Sequence, residues 1–65
     1  MNWNRALARM KAGGKVARPN WPDLAYIMLV DGLLYGKRKE KTSVSYFHAV
    51  PQQWLWATDW LEVQV

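Results

Sequence analysis

Ala25-Tyr26-Ile27-Met28-Leu29-Val30-Asp31-Gly32-Leu33-Leu34-Tyr35 is the stretch that decides the fold. Residues 25–30 form a continuous apolar run, the pattern of a central strand covered on both faces. Asp31-Gly32 then separates it from a second apolar run. Asp-Gly in that setting is the strongest short-range hairpin signal, because both central residues of a type I′ turn need positive φ. Leu33–Tyr35 is therefore read as the return strand of an antiparallel hairpin.

Upstream, Trp3, Ala6, Leu7 and Met10 recur at i, i+3, i+4 and i+7 and predict a helix with one apolar stripe. Asn2 can cap its start, and Gly13 or Gly14 can take the left-handed conformation that ends it. Lys15–Arg18 reads as a short strand, broken by Pro19-Asn20-Trp21-Pro22, where two prolines force a tight loop. That loop projects Trp21 away from the expected core, as a ligand contact or as a structural staple.

Downstream, Gly36–Lys41 carries Lys37, Arg38, Lys39 and Lys41 and reads as a mobile, solvated loop. Thr42–Val50 is rich in β-branched and aromatic residues and predicts a third strand of the sheet. Pro51 ends it and starts a helical turn over Gln52–Ala57. Trp60–Val65 alternates, with Leu61, Val63 and Val65 on one face and Trp60, Glu62 and Gln64 on the other, as a half-buried closing strand does. The chain is thus expected to be one α+β domain over residues 1–65. An N-terminal helix packs on a mainly antiparallel sheet of about four strands, with a short helical turn before the last strand.

Five tryptophans in 65 residues exceed what so small a core comfortably hides. Two or three are expected in the core, and the others in an interface or a pocket. With no cysteine there is no disulfide framework and no thiolate metal site. Oligomerisation is the remaining common support for a chain of this length, and a homo-oligomer is expected. No apolar run approaches the roughly 18–20 residues of a membrane span. Arg5 and Arg9 interrupt any signal-peptide h-region, so a soluble cytoplasmic protein is expected. The net charge of +4 points weakly to an anionic partner.

Catalytic constellations are sparse. His48 is the single histidine, and no serine elbow or cysteine accompanies it. Gly13-Gly14-Lys15 lacks the spacing and hydroxyl of a phosphate loop. Among five scattered carboxylates, Asp31 belongs to the turn and Glu40 to the charged loop. Asp59 stands out, because it can fix backbone amides or accept hydrogen bonds from ribose hydroxyls. No metal and no cofactor are expected, and no enzyme activity. Indole faces stack on purines, and arginine pairs with phosphate through a bidentate fork, so a nucleotide-type ligand fits the composition.

Three motifs in order, Trp3-x-x-Ala6-Leu7-x-x-Met10, Gly14-Lys15-Val16-Ala17-Arg18-x-x-Trp21 and Leu55-x-Ala57-x-Asp59-Trp60, resemble the Thoeris anti-defence two family of small phage proteins. The resemblance runs over the whole chain with a gap in the middle, where this chain is shorter. It implies a sponge that binds a cyclic nucleotide immune signal in the host cytoplasm without cleaving it. The ligand class implied is glycocyclic ADP-ribose, or for some members cyclic dinucleotides, held between protomers of a homotetramer. Arg18 and Trp21 match the family's strand-end arginine and following tryptophan, and Asp59 and Trp60 its terminal Asp-Trp pair. With Asn20, Gln53 and Trp54 these make the candidate ligand-binding set. One departure is clear: the family's Ser-x-x-Asp before Leu-x-Ala is here Pro51-Gln52-Gln53-Trp54. The cap is lost and the acid replaced by an indole, which implies a less acidic, more stacking pocket. The alternative is a small basic nucleic-acid-binding or protein-inhibitor module of phage origin acting through its basic loop. Nucleic acid is the less favoured partner of the two.

Overall fold

The structure, a computed structural model, describes residues 1–64. The elements follow as α1 (Trp3–Lys11), β1 (Lys15–Ala17), β2 (Leu24–Val30), β3 (Leu33–Arg38), β4 (Val44–Tyr46), α2 (Gln52–Trp56) and β5 (Leu61–Val63). The five strands form one antiparallel sheet in the order β4-β3-β2-β1-β5. The α+β expectation stands, with the closing strand adding a fifth member beside β1. The alternation read through to Val65 ends outside the described residues.

The local signals work as their chemistry requires. Asn2 Oδ1 accepts the Arg5 backbone N–H at 2.9 Å, capping α1. Gly13 takes φ +94° past the helix end, while the Gly14 N–H reaches back to the Arg9 carbonyl at 2.8 Å. Asp31 (φ 53°) and Gly32 (φ 78°) make the tight turn between β2 and β3. Pro51 opens α2 without a side-chain cap, as its chemistry dictates.

Val16, Ile27 and Leu34, one from each of three neighbouring strands, point to the side on which both helices lie. There they join Ala6, Met10, Trp54, Ala57 and Trp60 in the core. Because side chains alternate along a strand, Lys15, Tyr26, Met28, Leu33 and Tyr35 must point to the opposite side. Among the described residues no helix lies on that side. The apolar run of residues 25–30 is therefore covered on one face only, contrary to the two-sided expectation. Continuous hydrophobicity hides the alternation that a one-sided strand usually shows.

Two boundaries also differ. Gly36, Lys37 and Arg38 continue β3 rather than starting a loop. Gly36 is buried there because Phe47 and Leu24 lie over it: a Cβ would meet Phe47 Cε1 at 2.7 Å. The strand expected over Thr42–Val50 shrinks to Val44–Tyr46; the next residue, Phe47, still donates its backbone N–H to the Leu34 carbonyl at 2.9 Å and turns its ring to Trp54, centroids 5.6 Å apart.

Candidate functional site

The turn Arg18-Pro19-Asn20-Trp21 is closed by the Trp21 N–H bonding to the Arg18 carbonyl at 3.4 Å. It hands Trp21 to the helix-covered side of the sheet. Expected to stand clear of the core, Trp21 instead packs on it, with centroids 5.1 Å from Trp54 and 5.5 Å from Trp60. Trp54 and Trp60 complete the triangle at 5.8 Å, edge to face. Trp3 adds a fourth ring 5.2 Å from Trp60. Tilted and edge-on arrangements at these separations suit the ring quadrupoles.

A four-indole cluster succeeds in a 65-residue chain because it is the core. Trp60 is 1 % exposed, and its Nε1–H donates to the Trp54 carbonyl at 3.2 Å. The same carbonyl also accepts the Ala57 backbone N–H at 3.3 Å, at the end of α2. Trp3 and Trp21 are half-buried at the margin. Trp56, 74 % exposed, is the indole left outside. Two tryptophans are thus fully in the core, as expected, with two more packed half-buried against it.

Arg18, at the end of β1, and Asp59, just before β5, are brought together because β1 and β5 are neighbours with Ala17 opposite Leu61. Arg18 Nε donates to Asp59 Oδ1 at 2.8 Å and Nη2 to Oδ2 at 3.4 Å, a two-pronged fork. Both side chains keep part of their surface in solvent. The Arg18 hydrogen bond holds the Asp59 carboxyl below its ordinary value, against a smaller opposing effect of partial desolvation. Asp59 is therefore a fixed carboxylate at neutral pH, and Arg18 is aimed before any ligand arrives.

Sequence reasoning missed Lys39. Its backbone N–H bonds to the Asp23 carbonyl at 2.8 Å, and its ammonium donates to the Trp21 carbonyl at 3.0 Å. Residues 38–41 are exposed, as expected of the basic run, but through Lys39 they are also tied to the Trp21 turn. The long-range partnership of residue 39 with residue 21 leaves no signal in local spacing. Asn20 and Gln53 are exposed and Trp54 is buried. Of the seven candidate residues, Arg18, Trp21, Trp54, Asp59 and Trp60 converge on one corner of the molecule.

Arg18 and Lys39 give this corner two cations, Asp59 an acceptor and Trp21 a half-buried ring. Such a set can hold an anionic, aromatic ligand against a fixed edge. Among the described residues no pocket opens in the single chain, no cluster of metal-ligating groups forms and no helix is long and apolar enough to cross a membrane. Compared with known proteins, the chain matches no family model, and no curated protein or solved structure similar to it was found.

Proposed function

We propose that this protein is a phage anti-defence sponge: it binds a cyclic nucleotide immune signal of the glycocyclic ADP-ribose type, or a cyclic dinucleotide, and sequesters it uncleaved. The observation that carries the reading is a convergence. Residues 18, 21, 59 and 60, the ones singled out by the family resemblance, lie up to 42 positions apart in the chain, yet Arg18 meets Asp59 at 2.8 Å and Trp21 meets Trp60 at 5.5 Å. The resemblance rested on short motifs and did not require that contact.

In this reading Arg18 contacts a phosphate oxygen and Asp59 orients the guanidinium. Trp21 presents its outer face to a base, and Lys39 holds the turn and adds positive charge. Trp54 and Trp60 back the Trp21 ring rather than touch ligand. The corner is open on a lone chain, so a second copy completes the pocket, and a homotetramer does so in closed symmetry. Leu55 and Trp56, both exposed on α2, are the apolar surface offered for that contact. Sequestration needs affinity and stoichiometry alone, so no nucleophile or proton-transfer pair is assigned.

The test is direct. Purified protein is incubated with lysate of infected, defence-active cells, washed, heat-denatured, and the released small molecules identified by mass spectrometry. An intact cyclic nucleotide near one equivalent per pocket supports the reading. A hydrolysed product, or no nucleotide, overturns it.

A further inference from the structure

The sheet face turned away from both helices is unpartnered, and it has a composition of its own. Neighbouring strands place Met28 opposite Tyr35, Tyr26 opposite Lys37, and Tyr35 opposite Tyr46. Tyr35 and Tyr46 meet edge to face at 5.6 Å, and His48 stands edge-on to Tyr46 at 4.9 Å. Further along the same face the Lys15 ammonium lies 5.6 Å over the Tyr26 ring, which holds its charge there. The tyrosine side chains therefore run across three neighbouring strands, β2, β3 and β4, with Lys15 beside them on β1 and Lys37 among them on β3, opposite Tyr26.

Among the described residues no carboxylate side chain shares the face. Asp31 and Glu40 sit in turns and Asp23 in a loop. Glu62 points to the helix side, where it pairs with Arg9 at 3.6 Å, and Asp59 is committed to Arg18. This charge pattern selects the occupant. A second copy stacked face to face would enclose four ammonium groups with no counterion, and burying unpaired charge is strongly unfavourable. An acidic polypeptide would satisfy the lysines but has no use for three tyrosine rings on a flat surface. A single-stranded nucleic acid offers both halves of the complement: bases that stack on aromatic side chains and phosphates that pair with lysine.

We infer that the open sheet face, through Tyr26, Tyr35 and Tyr46 with Lys15 and Lys37, is a binding surface for single-stranded nucleic acid. This surface is separate from the Arg18–Trp21–Asp59 corner, and neither the ligand nor the residues of that site are invoked.

Fluorescence anisotropy with a labelled oligothymidylate of about 16 nucleotides, the upper site size of a small single-strand-binding fold, tests it. Binding should fall linearly on a log–log plot between about 50 and 200 mM salt. The double variant Lys15→Ala/Lys37→Ala should flatten that slope by about 1.4, two phosphates at about 0.7 each. Tyr35→Ala should weaken binding about tenfold, and Tyr35→Phe should restore it, because stacking needs the ring and not the hydroxyl. Circular dichroism confirms that each variant is folded. If Tyr35→Ala is not, Tyr46→Ala takes its place, Tyr46 being on the exposed edge strand. Four results overturn the inference: no binding of the oligothymidylate, binding that the tyrosine and lysine variants leave unchanged, preference for poly-glutamate, or self-association that Tyr46→Ala abolishes. Cyclic-nucleotide binding measured on the same variants should be unaltered, so failure here and failure of the sponge reading are distinguishable.

Discussion

The two faces of one five-stranded sheet are put to different uses. On the helix side, Val16, Ile27 and Leu34 meet α1, α2 and the tryptophan cluster, and among the described residues no buried side-chain nitrogen or oxygen lacks a partner. On the other side, the alternating neighbours of those same residues carry tyrosines and lysines into solvent. Along β2, Ile27 is fully buried while Tyr26 and Met28 on either side of it are half-exposed. Buried packing is therefore concentrated on one face, and partly exposed aromatic and aliphatic surface is left on the other. For a chain this short that division has a physical reason. Two helices of nine and five residues can cover only one side of the sheet, and the apolar area left bare on the other is of the kind that marks an interaction site.

The comparison breaks first if the covered face can be damaged cheaply. Trp60→Ala removes the fully buried indole and the bond to the Trp54 carbonyl. Truncation of a buried tryptophan costs about 3–5 kcal/mol, against the roughly 3–10 kcal/mol that a chain of this length commands at about 0.05–0.15 kcal/mol per residue. Thermal denaturation should show a midpoint lowered by at least about 12 °C, at about 4–8 °C per kcal/mol, or no cooperative transition at all. A smaller effect is expected of Gly36→Ala. The new methyl meets Phe47 Cε1 at 2.7 Å and Leu24 Cδ2 at 3.2 Å, and overpacking of this kind costs about 1–3 kcal/mol. A midpoint unchanged from that of the parent would show that the Phe47 ring moves aside freely.

The corner between the faces responds to pH. Arg18 lowers the Asp59 carboxyl below its ordinary value near 3.8, so the pair's contribution to stability is present above that value and lost as the pH falls through the depressed one. Asp59→Asn should therefore cost stability at neutral pH and progressively less toward strong acid, as urea denaturation across that range would show. A constant difference at every pH would detach the effect from the ion pair. Least sensitive of all is the bare face: Leu61, 54 % exposed on the edge strand β5, should tolerate Leu61→Ser within about 0.5 kcal/mol. A cost of several kilocalories in a dilute, monomeric sample would mean that this face is not bare.

The sequence reading succeeded where the determinants were local. The Asn2 cap, the Gly13 terminus, the Asp31-Gly32 turn and the Pro51 start of α2 each depend on a few adjacent residues, and each is where its chemistry requires. It failed where packing partners are distant. Gly36 looked like the first residue of a basic loop, because nothing near it in sequence announces that Phe47 and Leu24 will lie over it. Trp21 looked stranded on a proline-flanked turn, because Trp54 and Trp60 are more than thirty positions away. The two-sided coverage expected for residues 25–30 was wrong for a related reason: Tyr26 and Met28 are apolar enough to pass for core while facing out. Motif order singled out Arg18, Trp21, Asp59 and Trp60, whereas their contacts with one another and the bond from Lys39 to the Trp21 carbonyl were not legible.

The central claim is that the corner on the helix side, and not the open face, holds a cyclic nucleotide. Calorimetric titration with a glycocyclic ADP-ribose isomer and with a cyclic dinucleotide tests it most directly, using the parent protein, Arg18→Ala and the open-face variant Lys15→Ala/Lys37→Ala. The account predicts that at least one of these ligands binds the parent. Arg18→Ala should then weaken it by about 1.5–3 kcal/mol, the usual worth of a hydrogen bond to a charged group, or at least about tenfold. The open-face variant should bind as the parent does. Binding lost in the open-face variant and kept in a folded Arg18→Ala, or no binding of either ligand by the parent, would contradict it.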